Sequence, residues 1–194
     1  MAARGQQSSG LDPRLTFGAI FGVASFLVGY VTTLVVAAVG EDLDDLIEEA
    51  GWLYYNAQFA DIELGGGEFG EFFGIDFDQE VNLITDNGLD VPSIVYHLIP
   101  ILVLTAAGFV LARRVGAREP PEGALAGAAL VVGTVVMALL GTFLFEAQDT
   151  SPVLVEGLLL VGVIFPGVFG AIGGVLSTVV GDNGSQRGRG GGLR

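Results

Sequence analysis

The chain has 194 residues, 51% of them hydrophobic, a formal net charge of −14 and a mean hydropathy of +0.64. A soluble domain is rarely both this apolar and this acidic, and the apolar residues fall in blocks, which is how membrane spans are written. With no cysteine and a single histidine, a disulfide framework, thiolate chemistry and a zinc site are excluded, and no cofactor or metal is expected.

All eight basic residues are Arg. An acid-rich chain without lysine suggests selection for high salt, where carboxylates keep a surface hydrated.

Residues 1–14 read as a polar tail, cytoplasmic and disordered. Leu15 to Val39 follows without a charge. At about 1.5 Å per residue it more than crosses a hydrocarbon core of roughly 30 Å. Val36-Ala37-Ala38 would suit a signal peptidase, but the run far exceeds a signal core of about 7–15 residues, so it is read as a retained first span.

Gly40 to Asp90 carries 15 acidic residues and no Arg. Within it, Glu41 to Phe59 reads as a helix, begun after Gly40 by Glu41, Asp42, Asp44 and Asp45. Leu43, Leu46, Ile47, Ala50, Tyr54 and Ala57 share one face; Trp52, Tyr55 and Phe59 fall opposite. The second half is thus apolar nearly all round, and needs burial on two sides or a place at the bilayer interface. Gly65-Gly66-Gly67 and Gly70 end that pattern, and Phe69, Phe72, Phe73 and Phe77 alternate with acids beyond it. Asp86-Asn87-Gly88 reads as a turn, Asp90 as an N-cap and Pro92 as first-turn residue of the next span.

The remaining spans are read at 91–112, 124–145 and 153–180. Pro120-Pro121 is taken as a turn, Glu146 to Ser151 as a tight acidic connection, and 181–194 as a disordered Gly/Arg tail. The whole is an all-α membrane protein: four transmembrane helices (15–180) with an amphipathic helix in a long acidic extracellular loop (40–90). All eight arginines fall in the N-terminal tail, between spans two and three, or in the C-terminal tail. The positive-inside rule then places both termini in the cytoplasm and the acidic loop outside a cell membrane.

Three glycine pairs spaced by four, Gly18/Gly22, Gly123/Gly127 and Gly170/Gly174, suit close helix approach. Packing within one bundle is the first reading and a homo-oligomer the second.

His97 lies about six residues, roughly 9 Å, below the outer end of span two. Glu156 lies near the outer end of span four. Ionisable groups at such depth often mark a relay, and Pro100 and Pro166 interrupt the same two spans, each freeing a carbonyl for a cation or water. A polar cavity between spans two and four, with His97 and Glu156 as its titrating pair, is one reading. The plainer one places His97 in a hydrogen bond with Tyr96, a loop group or water, and Glu156 among headgroups.

Asp76-Phe77-Asp78-Gln79-Glu80 starts like a calcium loop but meets Val81 where Gly is needed and Asn87 where Glu is needed. No nucleophile motif or phosphate loop is present, and an enzyme is not expected. Three arginines in the C-terminal tail are too few to expect a nucleic-acid partner; the expected partner is the lipid bilayer.

Gly51-Trp52-Leu53-Tyr54-Tyr55-Asn56-Ala57-Gln58-Phe59, in an acidic loop after a first span, resembles a segment of uncharacterised four-span membrane proteins of haloarchaea, some loosely labelled transporters. Gln58 stands where that pattern has His. The resemblance implies a high-salt setting, the four-span fold and a transport label without substrate, and it singles out Trp52, Tyr55, Asn56 and Phe59. Their plainer role is docking the outer helix onto the bundle. Two functions follow: a non-catalytic bundle whose cap packs on it or meets an extracellular partner, or a small transporter or channel component, which with four spans requires an oligomer. A polar path through the bundle would favour the second; a dry, Gly-packed interior, the first.

Overall fold

The computed structural model describes residues 13–41, 43–64, 80–86, 89–147 and 150–187, with the backbone alone for residues 86 and 181–187. Four helices are long and apolar enough to cross a membrane: Pro13–Gly40, Ser93–Arg114, Pro120–Leu144 and Leu154–Val180, here spans one to four. The other described elements are an outer helix, Leu46–Asn56, a helical turn, Leu83–Asp86, and three short strands, β1 (Ile62–Leu64), β2 (Glu80–Val81) and β3 (Thr150–Pro152). The architecture is helical, as expected, with one small sheet that the sequence did not reveal. Strands of two or three residues are too short to show an alternating pattern.

That sheet has the order β2-β1-β3, both pairs antiparallel. Ile62 lies opposite Val81 on one side and Pro152 on the other. The sheet therefore ties the acidic loop to the connection between spans three and four. The calcium-like residues 76–79, the glycines and phenylalanines of 65–77, and Asn87-Gly88 lie outside the described residues.

Several boundaries differ from the sequence reading, each for a local reason. The outer helix begins at Leu46 rather than Glu41. Glu41 is engaged elsewhere: its carboxylate accepts the backbone N–H groups of Asp90 and Val91 and the Tyr96 hydroxyl, at 3.0–3.1 Å. This joins the end of span one to the start of span two. Span two starts at Ser93 with Pro92 at its N-cap, not Asp90. Pro120-Pro121 opens span three rather than forming a turn; proline's fixed φ suits a first helical turn, where no N–H is needed. The fourth helix continues to Arg187, past the Val180 expected.

Large apolar side chains are exposed along every span, among them Ile20, Val28, Leu102, Leu140 and Val168. Such a surface matches hydrocarbon as solvent. The interior is built differently. At the arginine-bearing end a methyl on Gly108 or Gly127 would collide with the Gly170 carbonyl, and one on Gly123 with that of Gly174. Gly18 and Gly22 meet Ala129, Leu130 and Gly133 in the same way. All three four-spaced glycine pairs are thus occupied in contacts within the chain. Backbones touch there, and no channel fits between spans two and four at Gly108 and Gly170.

This packing predicts unequal costs for two glycine substitutions. Gly108→Leu should lower stability by about 3 kcal/mol or more, because overpacking a backbone contact cannot be relieved by a side-chain rotation. Gly116 has φ +75 with open space at its Cβ, so Gly116→Ala should cost about 1 kcal/mol, the left-handed penalty alone. Thermal melts in detergent check the ranking; equal costs would contradict it.

Candidate functional site

The site is the C-terminal end of the outer helix, which is buried on all sides. Each residue from Leu53 to Gln58 is at most 2% exposed. The reason is the sequence LYYNAQ, which continues an apolar surface around the whole helix where the first turns, with Glu48 and Glu49, are one-sided. The sequence reading required burial on two sides or an interfacial position. The structure gives burial among spans.

A helix end among apolar spans leaves its last carbonyls without water, and each must find a donor. Here they do. Leu53 O accepts the Ala57 N–H at 2.9 Å, and Tyr55 O the N–H groups of Gln58 and Ala60. Asn56 O accepts the Phe59 N–H at 2.9 Å. Tyr54 O accepts the Gln58 side-chain amide at 3.2 Å. Ala57 O lies 2.9 Å from His97 Nδ1; since a carbonyl only accepts, that nitrogen carries the proton. The bonds from Ala60 to Tyr55 and from Phe59 to Asn56 form a Schellman cap with Phe59 at its left-handed position, φ 63. Glycine is usual there. The Phe59 ring instead stacks on His97, centroids 4.7 Å apart, and tilts against Phe165 at 6.1 Å.

The side chains singled out in the sequence all act at this junction. Trp52 donates to Phe145 O in the last turn of span three at 2.6 Å. Tyr55 donates its hydroxyl to Ala138 O, deeper in the same span. Tyr54 lies against Gly29 of span one and edge-on to Phe26, at 5.1 Å. Burial pushes both the Tyr54 and Tyr55 phenols well up from the usual range, so both stay neutral. Asn56 bonds in two directions, from Nδ2 to Ala60 O at 2.8 Å and from Leu83 N–H to its Oδ1 at 2.9 Å.

Glu156 does not bond to His97. Its Oε2 accepts the Asp61 N–H at 2.8 Å, so the two ionisable residues hold opposite ends of one turn, Ala57 and Asp61. Span four anchors this turn a second time, since Val153 N–H donates to Asp61 O at 3.0 Å. With Tyr54 on span one, Trp52 and Tyr55 on span three, His97 from span two and Glu156 from span four, a single short segment touches all four spans.

Several other polar groups that could have lined a path are satisfied locally. Pro166 has no N–H for the carbonyl four residues back, Gly162, and the Thr134 hydroxyl of span three fills that place at 2.8 Å. The helix just before it, Gly157–Ile164, is wound as a π-helix. Ser25, Thr33, Thr142 and Ser177 each donate to a carbonyl three or four residues earlier in their own helix. Among the described residues one buried side-chain atom has no partner, Gln58 Oε1.

One cluster escaped sequence reading. Asp61, Glu80 and Glu156 each place a carboxylate oxygen within 4.8 Å of the others. These are donors of the type that hold a hard divalent cation. No sequence motif announces them, because Asp61 and Glu156 are 95 residues apart and only the β1–β2 and β1–β3 pairings bring all three together. Asn82 Nδ2 donates to Asp61 Oδ1 at 3.1 Å.

Residues 1–181 match the model of a family described as a family of unknown function, DUF7978. No curated protein and no solved structure matches the chain.

The geometry predicts a difference between two substitutions at Glu156. Glu156→Gln keeps an oxygen for the Asp61 N–H and removes a charge from the cluster, so stability at neutral pH should be unchanged or slightly raised. Glu156→Ala orphans a half-buried N–H and should cost about 1–3 kcal/mol. Denaturation midpoints of the two variants, compared with the parent, decide it; equal losses would show that the charge, not the hydrogen bond, matters.

Proposed function

Starting from a chain that belongs to this family of unknown function, we propose that it is a non-catalytic membrane scaffold. Its four spans form a bundle closed at one end by the outer helix, and the plugged end carries the acidic loop on the outer face of a cell membrane. The observation that carries this reading is that every backbone carbonyl from Leu53 to Ala57 is paired, while spans two, three and four hydrogen-bond to the helix end and span one packs Phe26 and Gly29 against Tyr54. A cap held so extensively is part of the fold. The segment 65–79 leaves β1 and returns through β2, a paired stem fixed to this platform.

The sidedness rests on the arginines. Arg14, Arg113, Arg114 and Arg118 belong to the end opposite the outer helix, which by the positive-inside rule faces the cytoplasm. The lysine-free acidity supports a high-salt exterior, where the carboxylates of the loop hold water. The bilayer is the partner this reading requires. The glycine pairs available for a homo-oligomer already pack spans within one chain.

The alternative, a small transporter or channel component with a cavity between spans two and four, has the carboxylate trio at the mouth in its favour. Against it stand the backbone contact of Gly108 with Gly170 and the pairing of the Gly162 carbonyl with Thr134.

Flux measurements separate the two. Proteoliposomes carrying the folded protein at high salt should show proton and cation fluxes equal to those of empty vesicles, at pH 5 through 8. A protein-dependent flux that the His97→Ala, Glu156→Gln double variant abolishes would overturn the scaffold reading and establish transport.

A further inference from the structure

At the end of the bundle opposite the outer helix, two arginines stand in an unusual position. Span two finishes with Arg113 and Arg114, both exposed, directly after a 22-residue run without acid or arginine. The Arg113 guanidinium carbon lies 5.0 Å from the centre of the Phe109 ring, one turn earlier in its own helix. That of Arg114 lies 5.3 Å from the centre of the Phe17 ring, in the first turns of span one. The phenylalanines belong to the last apolar layer of the two spans. The guanidinium groups above them are therefore at the depth where hydrocarbon gives way to headgroups.

Neither guanidinium has a carboxylate partner among the described residues. The chain's acids are concentrated at the other end, with 15 of them between Gly40 and Asp90. On the nearby turn the Glu122 carboxylate accepts the Arg118 backbone N–H at 3.1 Å. The backbone offers little either. Leu111 O accepts the Val115 N–H, Ala112 O the Ala117 N–H and Arg113 O the Gly116 N–H, a Schellman turn that Gly116 makes with φ +75. This turn fixes the chain behind the two arginines and occupies the carbonyls beside them. Each guanidinium brings five N–H donors in a fork that matches the oxygens of a phosphate.

We propose that Arg113 and Arg114, seated on Phe109 and Phe17, bind the phosphates of anionic lipid headgroups around the end of span two. The phosphates accept from the guanidinium edges, while the acyl chains run down the exposed apolar surface of the spans. A lipid is favoured over free phosphate because the two arginines lie at the headgroup layer and their platforms are aromatic. The proposal stands whether or not the scaffold reading does, since it rests on the opposite end of the bundle.

The test is thermal stabilisation of the purified full chain in neutral detergent at one salt concentration. Three additions are compared: phosphatidylglycerol, phosphatidylcholine and inorganic phosphate. Phosphatidylglycerol should raise the Tm by about 4 °C over phosphatidylcholine, and inorganic phosphate should add nothing. An Arg113→Gln, Arg114→Gln double variant, measured against its own Tm in phosphatidylcholine, should lose at least three quarters of that increment. Arg118→Gln should keep it. Should the double variant fail to fold, Arg113→Lys with Arg114→Lys takes its place and should lose at least half, because an ammonium lacks the fork. Equal increments for parent and variant, no increment for the parent, or the same increment from inorganic phosphate would each overturn the proposal.

Discussion

The constraint on which this structure depends is that a helix ending inside an apolar bundle must find a donor for every carbonyl of its last turn. Water cannot serve there, and each unmatched group costs about 1–3 kcal/mol. The outer helix solves the problem with its own downstream backbone, with the Gln58 amide and with His97. The solution fixes much else. His97 must present a protonated Nδ1, so its ring stands where Phe59 stacks on it. Phe59 must adopt the left-handed conformation, a conformation that costs a non-glycine residue about 1–2 kcal/mol. Two ring contacts and a completed cap offset that cost.

Two Schellman turns among the described residues show the same geometry under different demands. After span two, Gly116 turns the chain at an exposed end where its Cβ would meet nothing, and glycine relieves the strain. After the outer helix the same φ is imposed on a phenylalanine. The turn there also positions an aromatic group between span two and Phe165 of span four. Backbone strain is retained where the side chain has work in the packing, and avoided where the turn alone is needed.

How much of this was readable in the chain follows from the range of each interaction. The four spans were legible because an apolar run long enough to cross a bilayer has few other uses. The outer helix was legible from the spacing of Leu43, Leu46, Ile47, Ala50, Tyr54 and Ala57, and its need for burial from Trp52, Tyr55 and Phe59 on the other side. Its start was misplaced because the role of Glu41, bonded to Asp90, Val91 and Tyr96 across some 50 residues, has no local signature. Pro120-Pro121 was read as a turn because two prolines suit a loop as well as a first helical turn. Trp52, Tyr55, Asn56, Phe59, His97 and Glu156 could be singled out from the chain, but neither their arrangement nor the part played by Asp61. His97 and Glu156 could be placed at similar depth by helix rise; that each would bind the backbone of one turn, instead of the other, required the path of residues 57–61. The grouping of Asp61, Glu80 and Glu156 was invisible for the same reason.

The central claim is that the end of the outer helix is an integral plug, as buried as the spans around it. Because the chain has no cysteine, single cysteines can report accessibility without background. Ala57 is fully buried, whereas Ile47 on the same helix is 58% exposed. In proteoliposomes labelled from the outer side with a membrane-impermeant maleimide, the Ile47→Cys variant should react within minutes. The Ala57→Cys variant should react at least a hundredfold more slowly until the protein is denatured. Comparable rates at the two positions in the folded protein would mean that the helix lifts from the bundle, and would contradict the account.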